Sequence, residues 1–421
     1  MFDLDKWNEI LLALTRNPLR TFLTALGVFW GIFMLVVMLG SGKGLENGVQ
    51  TGFSGMATNS VFIWTQRTSK AYMGLPPGRS FNMDNDDFIA LKQNLTEARI
   101  IAPRNQLGGY MGGNNVVRGI KTGAFSVMGD HPEIQNVESV WVLDGRFINQ
   151  LDMQERRKVA VIGTKVRDIL FEKGEEPIGQ YIRISGVYFK VIGVFRTKQT
   201  GDRAERDTQK IYVPFSTFQA AFNYGNVVGW FAITSRSDVP VAVVEEKAIE
   251  LLKKRHKVAP EDNRAFGHFN LQEEFNKIQG LFLGINALSW FVGTLTLLAG
   301  VIGVSNIMLV IVKERTKEIG IRRAIGAKPW SIVSQILSES IVLTSVAGFL
   351  GLFCGVLVLA LVSSLLPEPG GGQEVMFLNP EVRFDTAVWA LTIMVIAGAL
   401  AGLIPARRAV GISTVDALRA E

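Results

Sequence analysis

Four stretches of this 421-residue chain contain no Asp, Glu, Lys or Arg: residues 21–42, 278–312, 340–367 and 386–406. A helix needs about 20 predominantly apolar residues to cross about 30 Å of hydrocarbon. Inside that layer only helices and closed barrels satisfy their own backbone hydrogen bonds. All four stretches are long enough, so the sequence predicts four transmembrane helices with everything else arranged around them. Charged residues make up 19% of the chain, against about a quarter in a soluble domain, because these stretches hold none. A cleaved leader has an apolar core of about 7–15 residues ending at a small-x-small site. Residues 22–39 form a longer apolar run followed by Gly40-Ser41-Gly42-Lys43. The first stretch is therefore expected to be an uncleaved anchor.

The net charge of +6 follows the membrane rather than a nucleic-acid surface. Short loops rich in Lys and Arg stay on the cytoplasmic side. The segment 313–334 carries Lys313, Arg315, Lys317, Arg322, Arg323 and Lys328; the N-terminus carries Lys6, Arg16 and Arg20; the tail carries Arg407, Arg408 and Arg419. Both ends and 313–334 are thus expected inside, with 44–277 and the short 367–384 loop outside. Long loops translocate largely regardless of charge, so the cations of 44–277 do not oppose this. The expected order is an amphipathic cytoplasmic helix (1–20), spans at 21–43, 278–312, 335–366 and 385–405, and a cytoplasmic tail (406–421). In the first of these, Leu4, Trp7, Ile10, Leu11 and Leu14 recur at helical spacing opposite Asp5, Lys6 and Glu9, as in a helix lying on a membrane surface.

The helical pattern before the second span begins near 271 and gives about 60 Å at 1.5 Å per residue. The excess is expected to project outward as a stalk, with Gly280 and Gly284 as places for a bend. The single cysteine, Cys354, lies in the third span and allows no intrachain disulfide, so the outer segment must hold together by its own core.

That segment reads as mixed α/β. Strand patterns at 61–64 and 98–104 flank a helix at 84–95, and strands at 230–234 and 265–269 flank a helix at 239–256. Two β-α-β units at opposite ends suggest one split, ferredoxin-like subdomain, about 44–145 and 225–277. Between them, strands at 158–162, 181–184, 187–194 and 209–213 make an inserted β-rich subdomain at about 146–224, with Ser185-Gly186 as a tight hairpin turn. The polar stretch 197–207 is expected to be a mobile loop. The fold class is an α-helical membrane protein with an α/β extracytoplasmic domain.

The run Ser305-Asn306-Ile307-Met308-Leu309-Val310, leading into Glu314-Arg315-Thr316-Lys317-Glu318-Ile319-Gly320-Ile321-Arg322-Arg323-Ala324-Ile325-Gly326-Ala327, resembles the MacB/FtsX-type ABC transporter permeases, which include the lipoprotein-releasing Lol permeases. So do Val159-Ala160-Val161-Ile162-Gly163, Pro177-Ile178-Gly179-Gln180, Val191-Ile192-Gly193-Val194 and the tail Pro405-Ala406-Arg407-Arg408-Ala409 with Asp416-Ala417-Leu418-Arg419. The resemblance covers nearly the whole chain, in order. Thr414 stands where the family's tail usually has proline.

The resemblance implies a porter subdomain interrupted by a β subdomain called Sabre. It implies dimerisation with a second permease subunit, identical or not, and pairing with two ABC ATPase subunits that bind ATP and Mg. It also implies mechanotransmission, in which closure of the ATPases moves the outer domains. Efflux or release of an antibiotic, peptide or lipoprotein is the implied function; a periplasmic adaptor and outer-membrane channel are partners the sequence leaves open. The alternative is an FtsX-like scaffold controlling an extracytoplasmic partner, although FtsX outer domains are much smaller than 44–277. A sensor would need a cytoplasmic domain large enough to bury a core.

Independently of any family, 314–327 is amphipathic. Glu314 and Glu318, and Arg315 and Arg322, recur at helical spacing, while Ile319, Ile321 and Ile325 supply apolar contacts. Placed between two long spans, it is suited to pass force from a cytoplasmic partner. The candidate coupling residues are Glu314, Arg315, Glu318, Ile319, Gly320, Arg322, Arg323, Ala324, Gly326 and Ala327, with Arg322 and Arg323 expected to meet the ATPase. The pairs Gly27/Gly31, Gly351/Gly355 and Gly398/Gly402 have the spacing that lets membrane helices approach closely across a dimer.

Gly40-Ser41-Gly42-Lys43-Gly44 only partly matches a phosphate loop: Val37 stands at the first glycine position and Gly44 at the last. The chain is expected to bind no cofactor and to leave ATP hydrolysis to a partner ATPase, with membrane lipids as its other surroundings and no nucleic acid. His131, His256 and His268 lack metal-ligand spacing.

Overall fold

The structure, a computed structural model, describes residues 18–108, 115–138, 140–197, 199, 201–366, 377–382 and 384–411. The expected N-terminal amphipathic helix, the tail from 412 and most of the 367–384 loop lie outside these residues. In chain order the elements are α1 (Pro18–Thr51), β1 (Ser60–Thr65), β2 (Met83–Asp84), α2 (Asn85–Asn94), β3 (Ala98–Leu107), β4 (Val116–Arg118), β5 (Lys121–Gly123) and β6 (Ser126–Asp130). A 3-10 turn (Pro132–Asn136) leads to β7 (Trp141–Gly145), α3 (Gln150–Gln154), β8 (Val159–Gly163), α4 (Thr164–Leu170), β9 (Tyr181–Ile184) and β10 (Val187–Arg196). Next come α5 (Gly201–Thr208), β11 (Lys210–Pro214), α6 (Phe215–Ala221), β12 (Val227–Val228), β13 (Trp230–Ser235), α7 (Val241–Arg255) and β14 (Phe266–Asn270). The last are α8 (Leu271–Glu314), α9 (Thr316–Ala324), α10 (Pro329–Leu365) and α11 (Phe384–Val410).

Two compact units result: residues 49–280 form one, and the described residues up to 48 and from 281 onward form the other. Within the first, strands run in the order β14-β1-β13-β3, every pair antiparallel. With α2 between β1 and β3, and α7 between β13 and β14, this is the expected ferredoxin-like half. Helix α2 starts at a capping box, in which the Asp84 side chain accepts from the Asp87 amide and Asp87 accepts from the Asp84 amide, both at 2.9 Å. Asp87 is fully buried and also takes Arg255 Nε at 2.6 Å and His256 Nε2 at 2.7 Å, tying the end of α7 to the start of α2. Apolar faces of β1, β13, α2 and α7 close this core around Ile63, Leu91, Phe231, Val244 and Leu252.

The inserted half begins earlier than the sequence suggests. The order continues β3-β6-β11-β8-β10-β9-β4-β5, with β7 on β10. Strands between 116 and 145 therefore belong to the inserted sheet, and the expected division at about 146 moves back to the end of β3. The reason lies in β3 itself: its residues 98–104 pair with β13, while Asn105–Leu107 pair with β6. The expected hairpin forms at Ser185-Gly186, both with positive φ (45° and 92°), as a two-residue primed turn requires. The polar stretch 197–207 departs from expectation: residues from 201 to 208 form α5.

Arg104 is buried where β3 changes partner. Its guanidinium donates to Asp130 at 2.6 and 2.9 Å and to Glu138 at 2.5 Å, and Tyr212 Oη donates to Glu138 at 2.7 Å. Burial works against the Glu138 charge, but Arg104 and Lys210 overcome it and hold the carboxyl well below the usual range. For Asp130 the balance is reversed: burial outweighs the Arg104 partner and pushes its carboxyl up from 3.8 to about 6.

In the second unit α1, α8, α10 and α11 are each long and apolar enough to cross a membrane. At 44 residues α8 is unbroken through Gly280 and Gly284. The glycine pairs bring these helices of one chain together rather than facing outward. A Cβ at Gly27 would lie 3.6 Å from Gly300 Cα, and one at Gly31 3.3 Å from the backbone of α8. At Gly351 it would meet the Phe29 carbonyl at 2.5 Å, at Gly355 the Val36 side chain at 2.7 Å, and at Gly402 the Ser340 hydroxyl at 2.8 Å. Gly398 faces Ile341 and Thr344. The close approach expected across a dimer is thus an intrachain one.

Candidate coupling site

The segment joining α8 to α10 folds as α9 because Glu318 and Arg322, four residues apart, pair at 2.9 Å on one side of it. Gly326, at φ 102°, then ends it: the amides of Gly326 and Ala327 turn back to the carbonyls of Arg323 and Arg322 at 3.0 Å. Such a terminus favours glycine because its backbone is strained for any side chain.

The arginines of this segment reach groups of their own chain, while Lys317 stays exposed. Arg315 donates to Glu318 at 3.2 Å and, through Nη1, to Glu339 on α10 at 3.0 Å. Arg322 reaches Gln335 on α10 at 3.2 Å. Arg323 donates to the Val410 carbonyl at the end of α11, 2.7 Å away. Within the chain itself, Arg322 and Arg323 hold α9 against α10 and α11. Burial alone would lower the Arg315 pKa, but Glu339 and Glu318 raise it above its ordinary value, so the guanidinium stays charged. Ile319 and Gly320 are buried beneath the segment, in a core with Val312, Ile332 and Ile336.

The outward side of this region is apolar with a basic border. Ile321 is exposed, Ile325 is 83% exposed and, on the first turn of α10, Trp330 is 72% exposed. Lys313, Lys317 and Lys328 are exposed in the same stretch, as are Glu314, Ala324 and Gly326. Sequence reasoning identified the segment but missed Glu339 and Trp330. Glu339 directly precedes the charge-free stretch 340–367 and so read as its boundary; a carboxylate at that position was the clue.

The histidines serve structure: His256 binds Asp87 and His268 lies against Glu245 at 2.5 Å. Among the described residues no three His, Cys, Asp or Glu side chains are grouped to hold a metal ion.

These features define a class: a multi-pass membrane protein with a large α/β domain between its first and second spans and a short, bolted helix between its second and third. Comparison with known proteins identifies the family. Residues 21–251 match the MacB-like periplasmic core domain, and residues 290–414 match the FtsX-like permease C-terminal domain. The chain is 30% identical over 409 residues to the pyoverdine export ATP-binding/permease protein PvdT of Pseudomonas entomophila (strain L48), covering 96% of this chain and 58% of that protein. It is 30% identical over 410 residues to the macrolide export ATP-binding/permease protein MacB of Bdellovibrio bacteriovorus, covering 97% and 60%. The solved periplasmic region of MacB from Actinobacillus actinomycetemcomitans is 20% identical, with a TM-score of 0.43 over 54% of this chain and 95% of that one. The chain belongs to the MacB/FtsX-type ABC transporter permeases and is a multi-pass inner-membrane protein with a periplasmic domain. It spans about three fifths of the length of the curated relatives it matches.

Proposed function

We propose that this chain is the permease component of an export system driven by an ABC ATPase dimer, and that the ATPase docks on the outward side of the α9 region. The observation that carries this reading is the division of labour in 313–334: the arginines are turned inward to the chain's own helices, while Ile321, Ile325 and Trp330 are left exposed beside Lys317 and Lys328. Aromatic anchors with a basic border are what a protein partner engages. ATP-driven closure then moves α9, and through it the spans and the periplasmic domain, to drive efflux or release of an antibiotic, peptide or lipoprotein. The export functions named for PvdT and MacB support this choice over a regulatory scaffold. The permease acts as one of two such subunits and hydrolyses no ATP itself.

The test is co-purification in mild detergent with an ABC ATPase supplied in trans. Ile325→Asp and Trp330→Ala are expected to weaken the complex about 30-fold each, the effect of about 2 kcal/mol at a central anchor. Unchanged affinity in both would sink the docking assignment, since a Trp that merely anchors the membrane surface predicts normal assembly.

A further inference from the structure

We propose that Glu339 is a positioning residue: with Arg315 it forms the buried bolt through which movement of α9 is passed to the third span, α10. This rests on the coupling reading above and adds the link inside the chain that the reading requires.

Glu339 is 2% exposed and sits ten residues into a helix that next carries a charge only beyond its end. Its carboxylate accepts from Arg315 Nη1 at 3.0 Å. The space around the pair, bounded by Val312 of α8 and Ile336 of α10 and by the polar side chains of Glu318, Arg322 and Gln335, is a cavity of about 20 Å³. That volume admits about one water molecule. Little water can therefore take the place of Arg315 beside the buried carboxylate, and drawing Arg315 away would leave Glu339 with only the neutral Gln335 amide as its neighbouring donor. Separating such a pair is costly even where forming it gains little. Helix α9 and the start of α10 consequently move as one body.

Two further contacts set the geometry without duplicating the bolt. Arg322 holds Gln335 one turn earlier on α10, and Arg323 holds the end of α11. Glu318 joins Arg315 and Arg322 along α9 itself. The Arg315–Glu339 contact ties the base of the coupling segment to a carboxylate at the edge of the charge-free stretch, which is why Glu339 is the residue to test.

Amide hydrogen exchange over 316–324, measured on the full chain in lipid nanodiscs without any ATPase, reads the bolt directly. Glu339→Gln and Arg315→Gln are each expected to raise exchange about tenfold, and the double variant no further than either single one. Wild-type exchange in Glu339→Gln, or effects that multiply in the double variant, would overturn the pairing. Glu339→Asp, which keeps the charge, is expected to restore most of the protection; exchange as fast as in Glu339→Gln would overturn the bolt as a charge pair. In the complex with the ATPase, Glu339→Gln should bind ATPase and ATP within threefold of wild type. It should nonetheless lose the ATP-dependent change in exchange along α10. A change of wild-type size would refute transmission through Glu339. Should the ATPase fail to bind even the wild-type chain, the coupling reading falls and the transmission role falls with it, whereas the exchange cycle still decides the pairing.

Discussion

Asp130 and His131 are neighbours, both largely buried, and opposite in what burial does to them. Asp130 has a bidentate guanidinium partner in Arg104. His131 instead lies between the rings of Phe88 and Phe215, with centroids 5.1 and 5.5 Å away, and its closest carboxylate, Glu133, is 3.8 Å off. Burial pushes its pKa down from 6.5 to about 4, with Glu133 opposing and Lys92 assisting. A base whose folded pKa is depressed contributes stability above its unfolded pKa and loses it as pH falls, because only the unfolded chain takes up the proton. The window therefore runs from about pH 6.5 down to about pH 4. Between pH 7 and pH 5 this one group should cost about 2 kcal/mol of stability in the periplasmic domain. Chemical denaturation at the two pH values, compared with His131→Phe, measures it. A pH dependence that persists undiminished in His131→Phe would assign the effect elsewhere.

At the scale of elements, strands and helices with a strong apolar period were legible in the sequence. The residues Tyr181 to Ile184 alternate exposed and buried as a strand should, and the four charge-free stretches fall within α1, α8, α10 and α11 apart from a few end residues. What was not legible has a physical reason in each case. Helix α5 (Gly-Asp-Arg-Ala-Glu-Arg-Asp-Thr) has almost no apolar residue, so a reading built on apolar periodicity finds nothing there. The start of the inserted sheet was missed because β3 serves two sheets in succession, and pairing partners distant in sequence leave no local mark. The arginines of α9 were recognised, but the sequence could not say which way they point. Likewise glycine spacing predicts close approach without naming the helix that approaches. That last point is testable. Gly351 lies under the Phe29 carbonyl, whereas a side chain at Gly303 would enter open space. Valine has the same intrinsic cost in either helix, so the difference between Gly351→Val and Gly303→Val isolates packing. Thermal melts in detergent should show Gly351→Val the less stable by about 1–3 kcal/mol or more; equal melting temperatures would contradict the helix contact.

For the whole molecule, the two units keep separate cores. The clusters around Leu91 and Phe231, around Ile162 and Phe218, and around Val161 and Tyr212 draw only on residues 49–280. Those around Val304 and Ile336, and around Ile32 and Met394, draw only on the spans and α9. Which side of the membrane each unit's loops occupy is then decided by charge rather than by packing. Exposed Lys313, Lys317 and Lys328 cluster on 313–334, and short basic loops are retained in the cytoplasm, whereas a long domain translocates whatever its charge. The arrangement can be read with two cysteines in a Cys354→Ser background. Ile120, at the tip of the β4–β5 hairpin, is 99% exposed, and Ser331 is exposed beside Trp330. In intact spheroplasts a membrane-impermeant maleimide should label Ile120→Cys and leave Ser331→Cys untouched until the membrane is permeabilised. Labelling of Ser331→Cys first would invert the topology, and would place the exposed Ile325 and Trp330 where no cytoplasmic ATPase could reach them.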